Sequence, residues 1–356
     1  MSESPEGRAA VAGEGAGERW ARRAITIPAC LLGLAIAVPL LPVLLAGALL
    51  LDLFRDRRLP TVRLVLFALV YLGCESAGLL ASLVLWLGSI GDRERRLRWF
   101  YALQSAWASS IFAAGCRIFG IEVDVVGDES IGRGPLLLFS RHTSLADTIL
   151  PAVYVARRHG LRLRWVLKRE LLWDPCLDVV GRVLPNVFVR RGSYDSAREI
   201  AAVRSLARDL GEDEGVLVYP EGTRFTPAVR DRVAAALAVA DPARAQRLAG
   251  LRHVLPPRTG GPLALLDVCP PAEVVFLAHV GLDGAARLGD VWRGSLIGRR
   301  VRLWFRRVQS REIPVAAADR LAWLDAQWSA LDDWIDACLA ERDGASPAPA
   351  SAGGAA

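Results

Sequence analysis

The sequence has few of the residues that build metal and redox sites. Its six cysteines include no C-x2-C pair and share no ligand spacing with any of the four histidines. Neither a zinc site nor a disulfide framework is therefore predicted, and a reducing, cytoplasmic setting fits. No G-x-G-x-x-G segment follows a predicted strand, so the sequence does not indicate a dinucleotide enzyme.

Lysine is nearly absent. Of 44 cationic side chains, Lys168 alone is a lysine, and the formal net charge is +6. The cations are scattered among 38 acidic residues and form no basic stripe with aromatic side chains, so no nucleic-acid partner is predicted. An anionic lipid or a phosphate-bearing substrate fits this charge better. A coding bias explains the many arginines but leaves Lys168 as a candidate functional residue.

Charge is missing from long stretches near the N-terminus. Between Ala24 and Leu51 no residue is charged, and between Leu64 and Ile90 the single charge is Glu75. A helix of 28 residues extends about 42 Å, against about 30 Å for a hydrocarbon core. We therefore predict a transmembrane helical hairpin over residues 24–92, with its short basic turn across the membrane from both ends. Glu75 is expected to face the partner helix or a polar pocket.

The flanking segments are predicted from composition and period. Residues 1–23 and 344–356 are rich in small and polar residues and are predicted to be disordered. Residues 93–119 carry apolar side chains at helical spacing, interrupted by Gln and Ser, which indicates an amphipathic helix lying at the membrane interface. A third membrane span is the alternative for this segment.

The remaining chain, residues 120–343, predicts an α/β domain with a central, mostly parallel or mixed sheet covered by helices. Short apolar stretches alternate with helix-like segments, which is typical of such folds. A final helix over residues 319–341 has an apolar face that should pack on the core. The seven predicted strands are residues 121–126, 135–139, 163–167, 186–189, 215–219, 273–280 and 300–305.

Polar clusters follow several of these strands. The segment SRHTSLAD, with His142 and Asp147, comes after one strand, and Arg190 and Arg191 come after another. The segment PEGTR, residues 220–224, follows a third strand, and its glycine suits a tight turn. Each cluster alone is a weak signal, but sites in α/β proteins gather at strand ends.

In their order, these clusters resemble the motifs of the glycerolipid acyltransferase family, which includes 1-acylglycerol-3-phosphate acyltransferases. The matching motifs are H-x4-D at His142 to Asp147, K-x-E-L at Lys168 to Leu171, F-[IV]-x-R at Phe188 to Arg191, and PEGTR at 220–224. The segment HVLPPRTGG, containing Arg258, is similar to a segment of the lysophospholipid and lysocardiolipin branch. His279 stands where many members have proline, so the last motif matches in part and the acceptor is the open question.

The resemblance implies an O-acyltransferase with named roles for the matching residues. His142 would be the general base, and Asp147 would orient its imidazole. Lys168, Arg191 and Arg224 would bind an acceptor phosphate, and Glu221 would orient an arginine or a substrate hydroxyl. The further residues expected to bind substrate are Gly222, Thr223 and Arg258.

The expected partners are a lysophospholipid acceptor, an acyl-CoA or acyl carrier protein donor as co-substrate, and a lipid bilayer, with no cofactor and no metal. The expected location is a bacterial inner membrane, multi-pass, with the catalytic domain on the cytoplasmic side. The leading acceptor is a lysophosphatidic-acid-like glycerolipid. Alternatives are another lysophospholipid, lysocardiolipin or an amino lipid. A catalytically silent lipid-binding protein is the alternative of another class.

Overall fold

The computed structural model describes residues 10–11, 14–189, 197–270 and 272–342. Arg190, Arg191 and the predicted tail over residues 344–356 lie outside the described residues. All seven predicted strands are present, with ends shifted by at most three residues. An eighth strand of two residues was not predicted.

Eight strands form one mixed sheet in the order β1-β5-β4-β6-β3-β7-β8-β2. Strands β1, β5, β4, β6, β3 and β7 run parallel, whereas β7 and β8 are antiparallel and β8 and β2 are parallel. Their bounds are β1 Ala10–Val11, β2 Glu122–Val126, β3 Leu136–Ser140, β4 Arg162–Lys168, β5 Val187–Val189, β6 Glu214–Val218, β7 Glu273–Val280 and β8 Arg300–Val308.

Helices cover both faces of this sheet, as predicted. Apolar side chains alternate between the two faces along each strand, as the pleat requires. Leu137 and Phe139 of β3 pack with the C-terminal helix, while Leu136 and Leu138 pack with Phe119 on the opposite face. The α-helices are α1 Ala16–Arg55, α2 Pro60–Gly88, α3 Arg93–Phe119, α4 Pro175–Gly181, α5 Ala197–Leu206, α6 Pro227–Ala240, α7 Pro242–Arg247, α8 Gly260–Val268, α9 Leu288–Trp292 and α10 Ala317–Arg342.

The N-terminal helices differ from the prediction in one boundary. Helix α1 begins at Ala16, and residues 10–11 pair with β5, so the predicted disorder over residues 1–23 is wrong for these parts. The extra turns form because Arg22 donates to the buried Asp178 of α4 and so fixes the start of α1. By length and composition, α1 and α2 are each sufficient to cross a membrane.

Glu75, the charged residue predicted to face a partner helix or a polar pocket, lies in a polar pocket. Glu75 of α2 is buried and accepts hydrogen bonds from Trp107 Nε1 at 2.8 Å and from the Cys176 backbone N–H at 3.0 Å. The carboxylate therefore lies between α2, α3 and the N-terminus of α4. This confirms the prediction of a polar pocket and shows that α2 is docked on the α/β domain.

Helix α3 has the predicted bounds but uses its apolar face differently. Phe100 and Ile111 are buried, and Phe100 packs with Cys176 and Val180 of α4. A face covered by protein does not rest on lipid, so the prediction that this face lies in the membrane interface is wrong. The helical periodicity correctly predicts an apolar face on α3, and the surface that this face meets is the α/β domain.

The turn between α1 and α2 also contacts the α/β domain. The Arg55 guanidinium lies 4.0 Å from the ring centroid of Trp292, and Trp292 Nε1 donates to Thr61 Oγ1 at 3.0 Å. At the other end of α1, Arg22 is bonded to Asp178 of the same domain. A bilayer between the turn and the domain is incompatible with these contacts. They correct the predicted placement of the turn across the membrane.

Candidate active site

The predicted site residues gather at one edge of the sheet. Strands β5, β4, β6, β3 and β7 are parallel neighbours, so their carboxyl ends lie together. His142 follows β3, Lys168 ends β4, and Glu221 follows β6, which lies between those two strands. Because neighbouring strands are about 4.8 Å apart, the ends of β3 and β4 are separated by about 10 Å. A small substrate can contact both.

His142 and Asp147 form a buried hydrogen-bonded pair. His142 Nδ1 lies 2.9 Å from Asp147 Oδ1, and Asp147 begins a 3₁₀ turn over Asp147–Ile149. Ser144 Oγ accepts from the Asp147 backbone N–H at 3.0 Å and so caps this turn. With Nδ1 engaged, Nε2 has no hydrogen-bond partner among the described residues. It is the nitrogen available to a substrate.

Asp147 is held in its charged form. Its Oδ2 accepts from the backbone N–H groups of Thr143 at 2.5 Å and Ser144 at 2.7 Å. Burial alone would raise the pKa of Asp147, but the charge and hydrogen bond of His142, with His279 nearby, hold that pKa well below its ordinary value. A fixed carboxylate behind an imidazole selects one tautomer and stabilises the imidazolium.

Glu221 has a different role from the one predicted. It is buried, and its two oxygens accept from the backbone N–H groups of His142 at 2.8 Å and Leu255 at 2.9 Å. Both oxygens therefore hold loops together, and the prediction that Glu221 orients an arginine or a substrate hydroxyl is wrong here. Burial raises the pKa of Glu221 to about 8, although the two N–H donors oppose that shift.

The PEGTR turn is built around glycine. Gly222 has φ +66°, and a Cβ there would lie 2.6 Å from Arg258 Nε, so a larger residue would be both strained and crowded. The Arg258 backbone N–H donates to Pro220 O at 2.8 Å, which brings the predicted Arg258 against this turn. Thr223 is half-buried in the same turn. Gly222, Thr223 and Arg258 are therefore neighbours, as expected for one site.

Two of the predicted cations lie in the described part of this edge. Lys168 is half-buried at the end of β4, opposite Val189 of β5. Arg224 Nη1 donates to Ala286 O at 2.6 Å and so joins the PEGTR turn to the loop after β7. Arg191, the third predicted cation, lies beyond the described residues. Its place relative to Lys168 stays a prediction.

Sequence reasoning missed three residues around the pair. Arg141 is buried and donates to His279 O at 2.5 Å and to His253 O at 2.8 Å, which joins three loops. The ring of Tyr219 lies 4.7 Å from that of His142, centroid to centroid. His279 Nε2 lies 3.5 Å from Asp147 Oδ2. In the sequence, Arg141 is marked only by its position next to His142. Tyr219 and His279 come close to the pair because of the order of the strands, which the sequence does not show.

Comparison with known proteins agrees with this geometry. Residues 122–261 match a protein-family model described as Acyltransferase. Over 141 residues the chain is 28% identical to the 1-acyl-sn-glycerol-3-phosphate acyltransferase epsilon of Mus musculus. Over these residues the chain is similar to glycerolipid acyltransferases. The family match contains both members of the His142–Asp147 pair, Lys168 and the PEGTR turn, whereas His279 lies beyond it.

The extent of these similarities differs. The match to the mouse protein covers 39% of this chain and 38% of that protein, so the chain spans about two fifths of the length of this curated relative. The fold is also similar to the crystal structure of the 1-acyl-sn-glycerophosphate acyltransferase PlsC from Thermotoga maritima. That similarity covers 77% of this chain and 100% of the solved chain, with 16% sequence identity and a TM-score of 0.45.

Proposed function

We propose that this protein transfers a fatty acyl chain from an acyl thioester to the free hydroxyl of a lysophosphatidic-acid-like glycerolipid. The observation that carries the proposal is the His142–Asp147 pair, with Nδ1 and Oδ1 2.9 Å apart, at the edge of the sheet where Lys168 also ends its strand. The similar mouse protein is a 1-acyl-sn-glycerol-3-phosphate acyltransferase, which supports this acceptor class.

The proposed reaction uses His142 as general base. Nε2 takes the proton of the acceptor hydroxyl while its oxygen attacks the thioester carbonyl, and Asp147 stabilises the resulting imidazolium. A carbon–oxygen bond forms and the carbon–sulfur bond breaks. The leaving thiolate then takes the proton from the imidazolium. Acyl-CoA and an acyl carrier protein present the same thioester, and both are candidate donors.

The acceptor phosphate is assigned to the cations beside this pair. Lys168 and Arg258 lie at the same edge of the sheet, and Arg191 is the further candidate from the motif resemblance. An ammonium and guanidinium groups form charge-assisted hydrogen bonds with phosphate oxygens. Such contacts favour a phosphate-bearing acceptor over a neutral glycerolipid.

Membrane association is part of the proposal because both the acceptor and the product partition into lipid. The first two helices expose a large apolar surface that the α/β domain leaves uncovered, and this surface is suited to lipid. Its exposed members include Ile25, Leu32, Ile36, Val43, Leu50 and Phe54 of α1 and Leu80, Leu83, Val84 and Leu87 of α2.

The test is an acyl-transfer assay on the purified protein in detergent, with labelled acyl-CoA and a panel of acceptors with and without a phosphate. We expect phosphate-bearing lysolipids to be acylated and His142→Ala to lower the rate by about 10² to 10⁴. His159→Ala is the matched control, because His159 precedes β4 at the opposite edge of the sheet.

Each outcome bears on a separate part of the proposal. Near-normal turnover by the His142→Ala protein would exclude the proposed general base. Activity on a different lysolipid would retain the reaction and change the acceptor. Lipid binding without transfer to any acceptor, from either donor, would favour the catalytically silent lipid-binding alternative.

A further inference from the structure

His279 is a buried polar side chain without a partner of its own. It is fully buried at the end of β7, and neither ring nitrogen has a hydrogen-bond partner among the described residues. Burying such a group without hydrogen bonds costs free energy, so its presence needs a physical reason. Its nearest charged neighbour supplies one, because Nε2 lies 3.5 Å from Asp147 Oδ2.

Sheet register explains this proximity. Ser140, the last residue of β3, pairs with Leu277 of β7, and continuing this parallel register by two residues brings His142 and His279 close to each other. Along β7, His279 has the same parity as Val275 and Leu277, which pack on the face that also holds the turn after Asp147. Asp147 therefore lies between two imidazoles that come from neighbouring strands.

The backbone around His279 is fixed independently of its ring. Its carbonyl accepts from Arg141 Nη1 at 2.5 Å, and Arg141 Nη2 also donates to Asp283 Oδ1 at 2.8 Å. The imidazole is consequently presented to Asp147 from a rigid position. A movement of about half an ångström would bring Nε2 within the usual hydrogen-bonding distance of Oδ2.

Hydrogen-bond donors already contact both carboxylate oxygens of Asp147. A carboxylate offers about four acceptor sites. His142 and the backbone N–H groups of Thr143 and Ser144 occupy three. His279 Nε2 lies 3.5 Å from Oδ2, the oxygen that Thr143 and Ser144 contact and His142 does not, and so approaches the carboxylate from the side away from His142.

We infer that His279 is a positioning residue that holds Asp147 from the side opposite His142, so that the site is a His–Asp–His arrangement. The inference rests on the proposed acyl transfer. His279 contacts no substrate in this arrangement. Its effect on the rate passes through Asp147, which it keeps at the angle that orients the His142 imidazole.

The experiment compares His279→Leu with His279→Gln in the acyl-transfer assay. His279→Leu should lower kcat by about ten- to a hundredfold with KM little changed, because a charge-assisted donor to Asp147 is lost. His279→Gln places an amide N–H near the position of Nε2 and should restore most of kcat. Val275→Ala, a buried change on the same face of β7 and about 13 Å away, is the control for packing alone.

A double-mutant comparison separates positioning from a structural effect. If His279 acts through Asp147, His279→Leu should cost no more than about twofold when Asp147→Asn is already present. Full additivity of the two losses would overturn the inference, as would parent-like kcat in His279→Leu. An inactive parent protein would instead contradict the proposed function, so the two failures are distinguishable.

Discussion

At the residue scale, two buried carboxyl groups beside His142 are driven in opposite directions by their surroundings. Asp147 is held charged by a neighbouring imidazole and two backbone N–H groups, and its pKa is lowered. Glu221 also accepts two backbone N–H groups, but no cation among the described residues bonds to its oxygens, and burial raises its pKa to about 8. The first is suited to orient a base and the second to join loops.

Glu221 should make stability depend on pH. Its pKa rises from an ordinary 4.5 to about 8 on folding, so between these values the folded state keeps a proton that the unfolded state has lost. Its contribution to the free energy of unfolding is complete below about pH 4.5 and is lost as the pH rises through about 8, at up to about 1.4 kcal/mol per pH unit. Denaturant unfolding of the parent and Glu221→Gln at pH 5 to 9 measures this slope.

The comparison uses the difference between the two proteins at each pH, because other groups titrate in both. Glu221→Gln is expected to be less stable at pH 5, where its amide leaves one backbone N–H badly matched, and to approach the parent at pH 9. A difference that is constant over this range would show that Glu221 does not take up a proton on folding.

At the element scale, α1 is joined to the α/β domain by ion pairs with one buried carboxylate. Asp178 of α4 accepts from Arg22 at 3.0 Å, from Arg23 at 2.8 Å and from Arg182 at 2.6 Å. Glu14 pairs with Arg22 and Arg182 in the same cluster. Removing one member of a buried ion network leaves the others uncompensated, which makes this cluster the main polar attachment of the start of α1.

Asp178→Ala should therefore loosen α1 and destabilise the protein by about 3 to 5 kcal/mol, since buried arginines lose their carboxylate. Thermal melting in detergent and limited tryptic cleavage near Arg23 are the measurements. Asp56→Ala is the matched control, because Asp56 pairs with Arg58 at an exposed position. Equal melting temperatures and equal cleavage rates for the two variants would show that Asp178 does not hold the start of α1 on the domain.

At the scale of the whole molecule, both ends of α1 contact the domain that carries the site. Arg22 is bonded to Asp178, and Arg55 lies over Trp292. The two ends are separated by 33 residues, or about 50 Å of helix, so α1 runs along the domain and turns its apolar outer face away from it. The helical hairpin therefore lies beside the domain.

Cysteine labelling tests this placement. A cysteine at Arg57, in the turn, and one at Val315, exposed on the domain, should react with a membrane-impermeant maleimide from the same side of oriented vesicles. The six native cysteines are buried or half-buried, and the unsubstituted protein measures their background. Labelling of the two positions from opposite sides would instead establish a hairpin that crosses the bilayer.

The sequence by itself determined the local elements and the residues that make up the candidate site. The continuous apolar stretch over residues 273–280 predicted β7, the helical period over residues 319–341 predicted the buried face of α10, and the H-x4-D spacing identified His142 with Asp147. These are patterns of nearby residues, because strand pleat, helical turn and a short loop depend on neighbours in the chain.

Only the tertiary structure decided what those elements meet. Glu221 bonds to the backbone of His142, 79 residues away, and His279 approaches Asp147 because β7 lies beside β3. Periodicity shows that Phe100 lies on an apolar face, but lipid and protein bury such a face equally well. Strand order and helix docking determine whether protein or lipid covers such a face. Both depend on the packing of residues far apart in the chain.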